Sequence, residues 1–142
     1  MLLKKCALIG STLAILGLPV LASANLLTYN YTNEISTVKI TSSILKLCSV
    51  GPLSNKFTPA IKNGIPGNSS TTPAEVKTIC QQFSGTCEAD MYATPNCDAG
   101  GAKPIAHLKI DVGNLAVAIV SKLSPKYAID VAGSTVVVKY AG

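Results

Sequence analysis

Alternation of apolar and polar side chains organises most of the chain beyond residue 25. Leu27, Tyr29 and Tyr31 alternate with Thr28 and Asn30, then Asn33 and Glu34 offer a turn. Val38, Ile40, Ser42 and Ile44 next alternate with Thr37, Lys39, Thr41 and Ser43. A period of two is that of half-buried strands, and it predicts that these first two strands pair as a hairpin. Towards the other end, Ala106, Leu108, Ile110 and Val112 form an inner face and Gly113-Asn114 turns the chain. Leu115 to Val120 is apolar on both sides, as a central strand is. Tyr127, Ile129 and Val131, a bend at Ala132-Gly133-Ser134, and Val136, Val138 and Tyr140 complete a meander.

Two stretches break this pattern. From Gly51 to Thr72 the chain carries Gly51-Pro52, Thr58-Pro59, Asn63-Gly64 and Pro66-Gly67-Asn68, the punctuation of a long irregular connection, with a short strand expected near Phe57 to Ile61. Thr72-Pro73-Ala74-Glu75 then starts a helix, with a hydroxyl cap, proline at the first helical position and an acid three residues after the cap. Val76, Ile79, Cys80 and Phe83 follow as one apolar stripe, and Gly85 stops it. The elements together predict a mainly β fold: a small sandwich or partly open barrel of six to eight antiparallel strands with one short helix at about 73–84. No internal repeat or second domain is visible, so residues 25–142 read as a single domain.

The first 24 residues have another character. Lys4 and Lys5 precede an apolar run from Cys6 to Leu18, and Pro19 breaks it before Ala22-Ser23-Ala24. This is the layout of a secretory signal peptide with cleavage near Ala24, and the run of ~13 residues is short of the ~20 that span a bilayer. Cys6 follows the lysines with no lipobox ahead of it, which argues against a lipoprotein. The expected location is periplasmic or secreted.

Without Lys4 and Lys5, ten lysines face seven acids, a net charge of about +3, and the chain has no arginine. Lys39, Lys46, Lys56, Lys62 and Lys77 are dispersed, unlike the clustered basic and aromatic residues of nucleic-acid readers, so no nucleic-acid partner is expected. Beyond Cys6 the cysteines are Cys48, Cys80, Cys87 and Cys97, an even set that in an exported domain reads as two disulfides. Four cysteines allow three pairings. The turn at Thr94-Pro95-Asn96 favours Cys87 with Cys97, leaving Cys48 with Cys80 to bracket the long connection.

Between Cys87 and Cys97 runs Glu88-Ala89-Asp90-Met91-Tyr92-Ala93-Thr94-Pro95-Asn96. As a strand, its first half points Cys87, Ala89, Met91 and Ala93 inward, and Glu88, Asp90 and Tyr92 share the outer face. This C-x-A-D-x-Y-x-x-x-N-C segment, with the leader, the helix ending in a cysteine and the C-terminal strands, resembles a group of small uncharacterised proteins exported by Gram-negative bacteria. Some of these look like type II secretion substrates. The resemblance implies export and brings no catalytic residues.

Chemistry-bearing residues are sparse. Glu88 and Asp90 would lie ~7 Å apart, within the range of a paired-carboxylate glycosidase. Asp98 with Gly100-Gly101 would extend them towards a calcium site, but the spacing is not that of a calcium loop, and the set reads as a solvated acidic edge with no metal or cofactor. His107, the sole histidine, falls with Lys109 and Asp111 on a polar strand face and reads as an ordinary exposed residue. No G-x-S-x-G turn accompanies it. Asn30-Tyr31-Thr32 and Asn68-Ser69-Ser70 match the glycosylation sequon, which a bacterial-looking leader makes incidental.

The function expected from these features is that of a secreted, non-enzymatic, monomeric binding protein, an effector or a host- or surface-interaction protein exported through the Sec pathway and type II secretion. Its partner is a protein or glycan, and its contact patch is Glu88, Asp90 and Tyr92. The alternatives are an inhibitor of a secreted hydrolase, or a pilin-like fibre subunit, since Val136-Val138-Tyr140 is similar to the last strand of subunits completed by a donated strand.

Overall fold

In the computed structural model, which describes residues 24–49 and 56–142, the alternating segments fold into two facing four-stranded sheets. The strands are β1 (Leu26–Asn30), β2 (Thr37–Ile40), β3 (Gly67–Thr71), β4 (Thr86–Tyr92), β5 (Ala106–Asp111), β6 (Val117–Lys122), β7 (Tyr127–Ala132) and β8 (Thr135–Tyr140), with helix α1 (Pro73–Cys80) between β3 and β4. One sheet has the order β3-β1-β8-β7 and the other β2-β4-β5-β6. The leader expected from the sequence, apart from Ala24, and Cys6 with it, lie outside the described residues, as does the Gly51-Pro52 end of the long connection.

The core follows from the strands' own period. Ala89 and Met91 of β4, Leu108 and Ile110 of β5, Ile129 of β7, and Val136 and Val138 of β8 are all buried between the sheets. All pairings are antiparallel except one: β1 runs parallel to β8, with Thr28 opposite Val136 and Asn30 opposite Val138. The expected β1–β2 hairpin does not form. β1 pairs with β3 and β8, while β2 crosses to the other sheet and pairs with β4.

Asn30 explains why the chain leaves its sheet there. Its side chain is fully buried at 0% exposure, and the amide Nδ2 donates to the carbonyls of Glu34 at 2.7 Å and Pro59 at 3.1 Å. Its Oδ1 accepts from the Thr32 amide at 2.9 Å and the Thr32 hydroxyl at 2.8 Å. A turn wound about an asparagine in this way reverses the chain without a ladder partner. The burial also puts the Asn30 sequon out of reach of a glycan.

Other departures have local causes. β3 falls inside the expected irregular connection; its sequence GNSST has no apolar residue, and it is a strand because β1 offers an edge and Thr71 turns inward. Near Phe57 to Ile61 the strand expected there is a single bridge, Thr58 with Ser36. β6 is an edge strand, and its Ala118 and Val120 are exposed where a central strand would bury them. β2 stops at Ile40, because Ser43 Oγ accepts from the Lys46 amide at 3.3 Å and winds the next residues into a turn that leaves Ile44 in solvent.

Helix α1 starts as its sequence predicts, with Thr72 and Glu75 forming a reciprocal capping box. It ends at Cys80, short of residue 84, because Gln81 takes a left-handed conformation at φ 57° and reverses the chain. That reversal lets Cys80 bond Cys87, and the second bridge joins Cys48 to Cys97. The pairs Cys48–Cys80 and Cys87–Cys97 are therefore not those formed. Cys87 lies near the start of β4 and faces the core, whereas Cys97 lies beyond its other end, and the six residues from Cys87 to Tyr92 alone span ~17 Å of strand.

A polar tie joins the turn after Asn30 to the last two strands. Glu34 accepts from the Tyr127 hydroxyl and from Lys126 Nζ at 3.2 Å, and Tyr127 stacks on Tyr140 with ring centroids 5.7 Å apart. The Tyr127 hydrogen bond, followed by Lys126, holds the Glu34 carboxyl below the ordinary glutamate range.

Replacing Asn30 by Ala removes four buried hydrogen bonds and leaves the Thr32 hydroxyl and the Glu34 carbonyl only the bonds made between Thr32 and Glu34, and is expected to cost about 3 kcal/mol in urea unfolding. Asn68→Ala, at an exposed position, should stay within about 0.5 kcal/mol of the parent. A loss below about 1 kcal/mol for Asn30→Ala would refute the organising role given to this side chain. Tyr127→Phe should cost roughly 1 kcal/mol at neutral pH. Because the folded Glu34 pKa is depressed, the stabilisation is present above the ordinary carboxyl value and fades as pH falls through the lower folded one, so the difference between Tyr127→Phe and the parent should shrink in acid.

Candidate functional site

The outer face of the β2-β4-β5-β6 sheet collects most of the chemistry-bearing residues. Register sets its rows: Lys39, Asp90, His107 and Ser121 stand side by side across β2, β4, β5 and β6, and Glu88, Lys109 and Ala118 form the next row. His107 Nδ1 is hydrogen-bonded to Asp90 Oδ1. The imidazole is not the unattached strand residue its own neighbours predicted, since its partner is on another strand. Asp90 is largely covered, with 16% of its side chain exposed, against 43% for His107.

Tyr92 is on the predicted face but is not exposed. The segment after β4 folds back over it: Thr37 Oγ1, beside Tyr92 in the next strand, donates to the Thr94 carbonyl at 2.9 Å and accepts from the Cys97 amide at 3.0 Å. The Cys48–Cys97 bridge and two bonds from Lys39 Nζ to the Asp98 carboxylate, at 3.1 and 3.0 Å, hold the segment down. Tyr92 is left 3% exposed. Its burial, and then the charges of Asp90 and Asp98, push its hydroxyl pKa up, while the Lys39 hydrogen bond holds the Asp98 carboxyl down. Of the three expected contact residues only Glu88 is freely exposed.

Engagement of Asp90 and Asp98 with separate bases also bears on the other readings. Asp98 is tied to Lys39 and Asp90 to His107, and no group of three metal-ligating side chains is found among the described residues. Ser121 opposite His107 completes a Ser, His, Asp row. It runs over the open side of a sheet, so it can present hydrogen-bonding groups to a surface laid against it.

Ile44 and Phe83, which the sequence placed in strand and helix patterns, instead stand exposed on two turns next to the start of β4, with Leu45 beside Ile44. Thr41 N donates to the Glu88 carbonyl and Glu88 N to Ser42 Oγ, each at 2.9 Å, so the turn carrying Ile44 and Leu45 is anchored at the start of β4. Phe83 lies in the loop closed by Cys80–Cys87, just ahead of the same strand, where Gln82 Nε2 bonds the Ser84 and Thr86 carbonyls. Ile44 is 95% exposed, Leu45 55% and Phe83 85%. The signal that would have found them is the serine pair before Ile44 and the short Cys80 to Cys87 spacing, both of which cut their pattern short.

No helix among the described residues is long and apolar enough to cross a membrane. No protein-family model and no curated protein sequence matches the chain. Among solved structures, the chain is similar to the crystal structure of the Legionella pneumophila type II secretion system substrate NttC, with a TM-score of 0.61 and 18% identity over 83% of this chain and 98% of that one. The fold is thus shared with one type II secretion substrate, in line with the resemblance read from the sequence.

Proposed function

We propose that the protein is an exported, non-enzymatic binding protein, delivered by a cleaved leader to the periplasm and onward by type II secretion. It acts as a monomer on a protein outside the cell. Two disulfides, the alternation of a two-sheet fold and the likeness to NttC support the export reading. The observation that carries the binding reading is the display of Ile44, Leu45 and Phe83 in water on braced turns beside Glu88.

Large apolar side chains left in solvent gain nothing for the folded chain. Covering a phenylalanine or isoleucine is worth ~1.5–3 kcal/mol each, enough for such a pair to anchor an interface. Rigid loops cut the ordering cost of association, which the Cys80–Cys87 bridge does for Phe83. Glu88, Asp90 and His107 would form the polar margin of the contact, with Tyr92 acting from beneath by supporting the 94–98 segment. Dispersed lysines, with Lys39, Lys56, Lys126 and Lys139 each paired to an acid, fit this better than a nucleic-acid surface. β8 already has hydrogen-bonded neighbours on both sides, so the binding reading accounts for it better than a fibre subunit awaiting a strand.

The purified, oxidised domain carrying a crosslinker should capture a protein from host-cell surface extracts or from extracts of competing bacteria, and Phe83→Ser with Ile44→Ser should weaken that capture roughly tenfold or more at unchanged thermal stability. Capture of a secreted protease or lysozyme, lost in the same variant, would identify the inhibitor form of the activity. Equal capture by parent and variant would remove this surface from consideration.

A further inference from the structure

Among the described residues, the two sheets meet directly along one edge. There β6 and β7 adjoin, with the Val117 amide donating to the Gly133 carbonyl at 2.9 Å. Along the opposite edge, β2 and β3 are linked through the segment around Thr58, which bridges Ser36 of the chain entering β2 and bonds the Ser69 hydroxyl of β3 at 2.7 Å. Behind this link, with α1 packed across it through Val76 and Ile79, lies a cavity of about 80 Å³.

Its walls differ in kind. Val38, Met91, Leu108 and Val136 give an apolar wall, while Ser36, Ser49, Thr58 and Ser69 give a hydroxyl wall. Most of these hydroxyls are engaged: Thr58 and Ser69 bond each other, and Ser49 Oγ accepts from the Val38 amide at 3.0 Å. Ser36 differs. It shares the inward phase of Val38 and Ile40, is 3% exposed, and its Oγ is the buried side-chain polar atom without a hydrogen-bond partner among the described residues. Its backbone is fixed by two 2.9 Å bonds with Thr58, which keeps its side chain on the cavity side of the strand.

Buried polar groups are almost always paired, and a single unspent hydroxyl in an apolar cavity specifies what would satisfy it. A water needs two to four polar partners and only ~10–15 Å³ in this measure of volume, so the hydroxyl wall offers water partners while the apolar wall offers it none. An apolar cavity of ~150 Å³ takes benzene, which sets the scale at a few carbons. Lys56 also lines the cavity, its ammonium 3.1 Å from Glu75 Oε2 and 3.1 Å from the Ser70 carbonyl.

We propose that this cavity is a binding site for a short aliphatic chain ending in one hydrogen-bonding group, an alkanol or a short-chain carboxylate, with the chain against Val38, Met91 and Leu108 and the end group on Ser36 Oγ. The site is separate from the Phe83 surface and does not depend on it.

Titration of the intact oxidised domain with 1-propanol and with propanoate, followed by NMR of backbone amides and methyl groups, tests the assignment. Saturable shifts at Ser36, Met91 and Ile79 are expected with at least one probe; tighter binding of propanoate would show that Lys56 takes part, and tighter binding of propanol that it does not. Ser36→Ala should weaken binding about fivefold, the value of one hydrogen bond, while raising the thermal stability of the ligand-free domain by removing an unpaired buried hydroxyl. A serine with a purely structural role would not move the two in opposite directions. Ile79→Phe, which enters the cavity from the half-buried helix face, should abolish binding. Absence of saturable shifts with both probes, shifts confined to the Ile44 and Phe83 surface, or parental affinity in Ser36→Ala would each overturn the proposal.

Discussion

The buried Asn30 amide is the constraint on which the two-sheet arrangement rests. It sits where β1 ends, and its four hydrogen bonds fix both the turn to Glu34 and the approach of Pro59. Opposite it stands Gly67, the first residue of β3, where a Cβ would fall 1.8 Å from the Pro59 carbonyl oxygen, so only glycine permits the connection to pass. One polar side chain thereby sends β2 to the far sheet and admits β3 beside β1. An apolar residue of similar size could fill the space but could not direct the chain.

Legibility from sequence followed how local the determining interactions are. β5, β7 and β8 could be read because each carries its own strict alternation, such as Ala106, Leu108 and Ile110, which sets a face whatever the neighbour is. The start of α1 was equally plain, since cap, proline and acid lie within four consecutive residues. What depended on a distant partner was not legible. β3 has no pattern of its own, the hydrogen bond between His107 and Asp90 exists only because of the β4–β5 register, and the disulfide pairing follows sheet order. Tyr92 divides the two cases: β4 alone placed it on the Glu88 face, and a segment from outside the strand covered it.

The bridges do different physical work. In the chain-entropy estimate, the Cys48–Cys97 bridge, with a separation of 49, is worth ~4 kcal/mol and the Cys80–Cys87 bridge, with a separation of 7, ~2.4 kcal/mol. The longer one fastens the covering segment to the edge beyond β2, where Cys48 lies against Lys39. The shorter one shapes a loop more than it stabilises a domain, and that loop is the one that holds a phenylalanine in water.

The parallel contact between β1 and β8 joins the first strand to the last. A ladder between residues 27–30 and 135–138 has nearly the greatest sequence separation the described chain allows, and it lies in the middle of its sheet. For a chain that emerges N-terminus first, that sheet cannot close until the final residues are out, so the order of emergence itself delays folding. Topology of this kind folds slowly, with its first strand waiting on its last. Such an architecture acts as a timer on the closing of its own sheet.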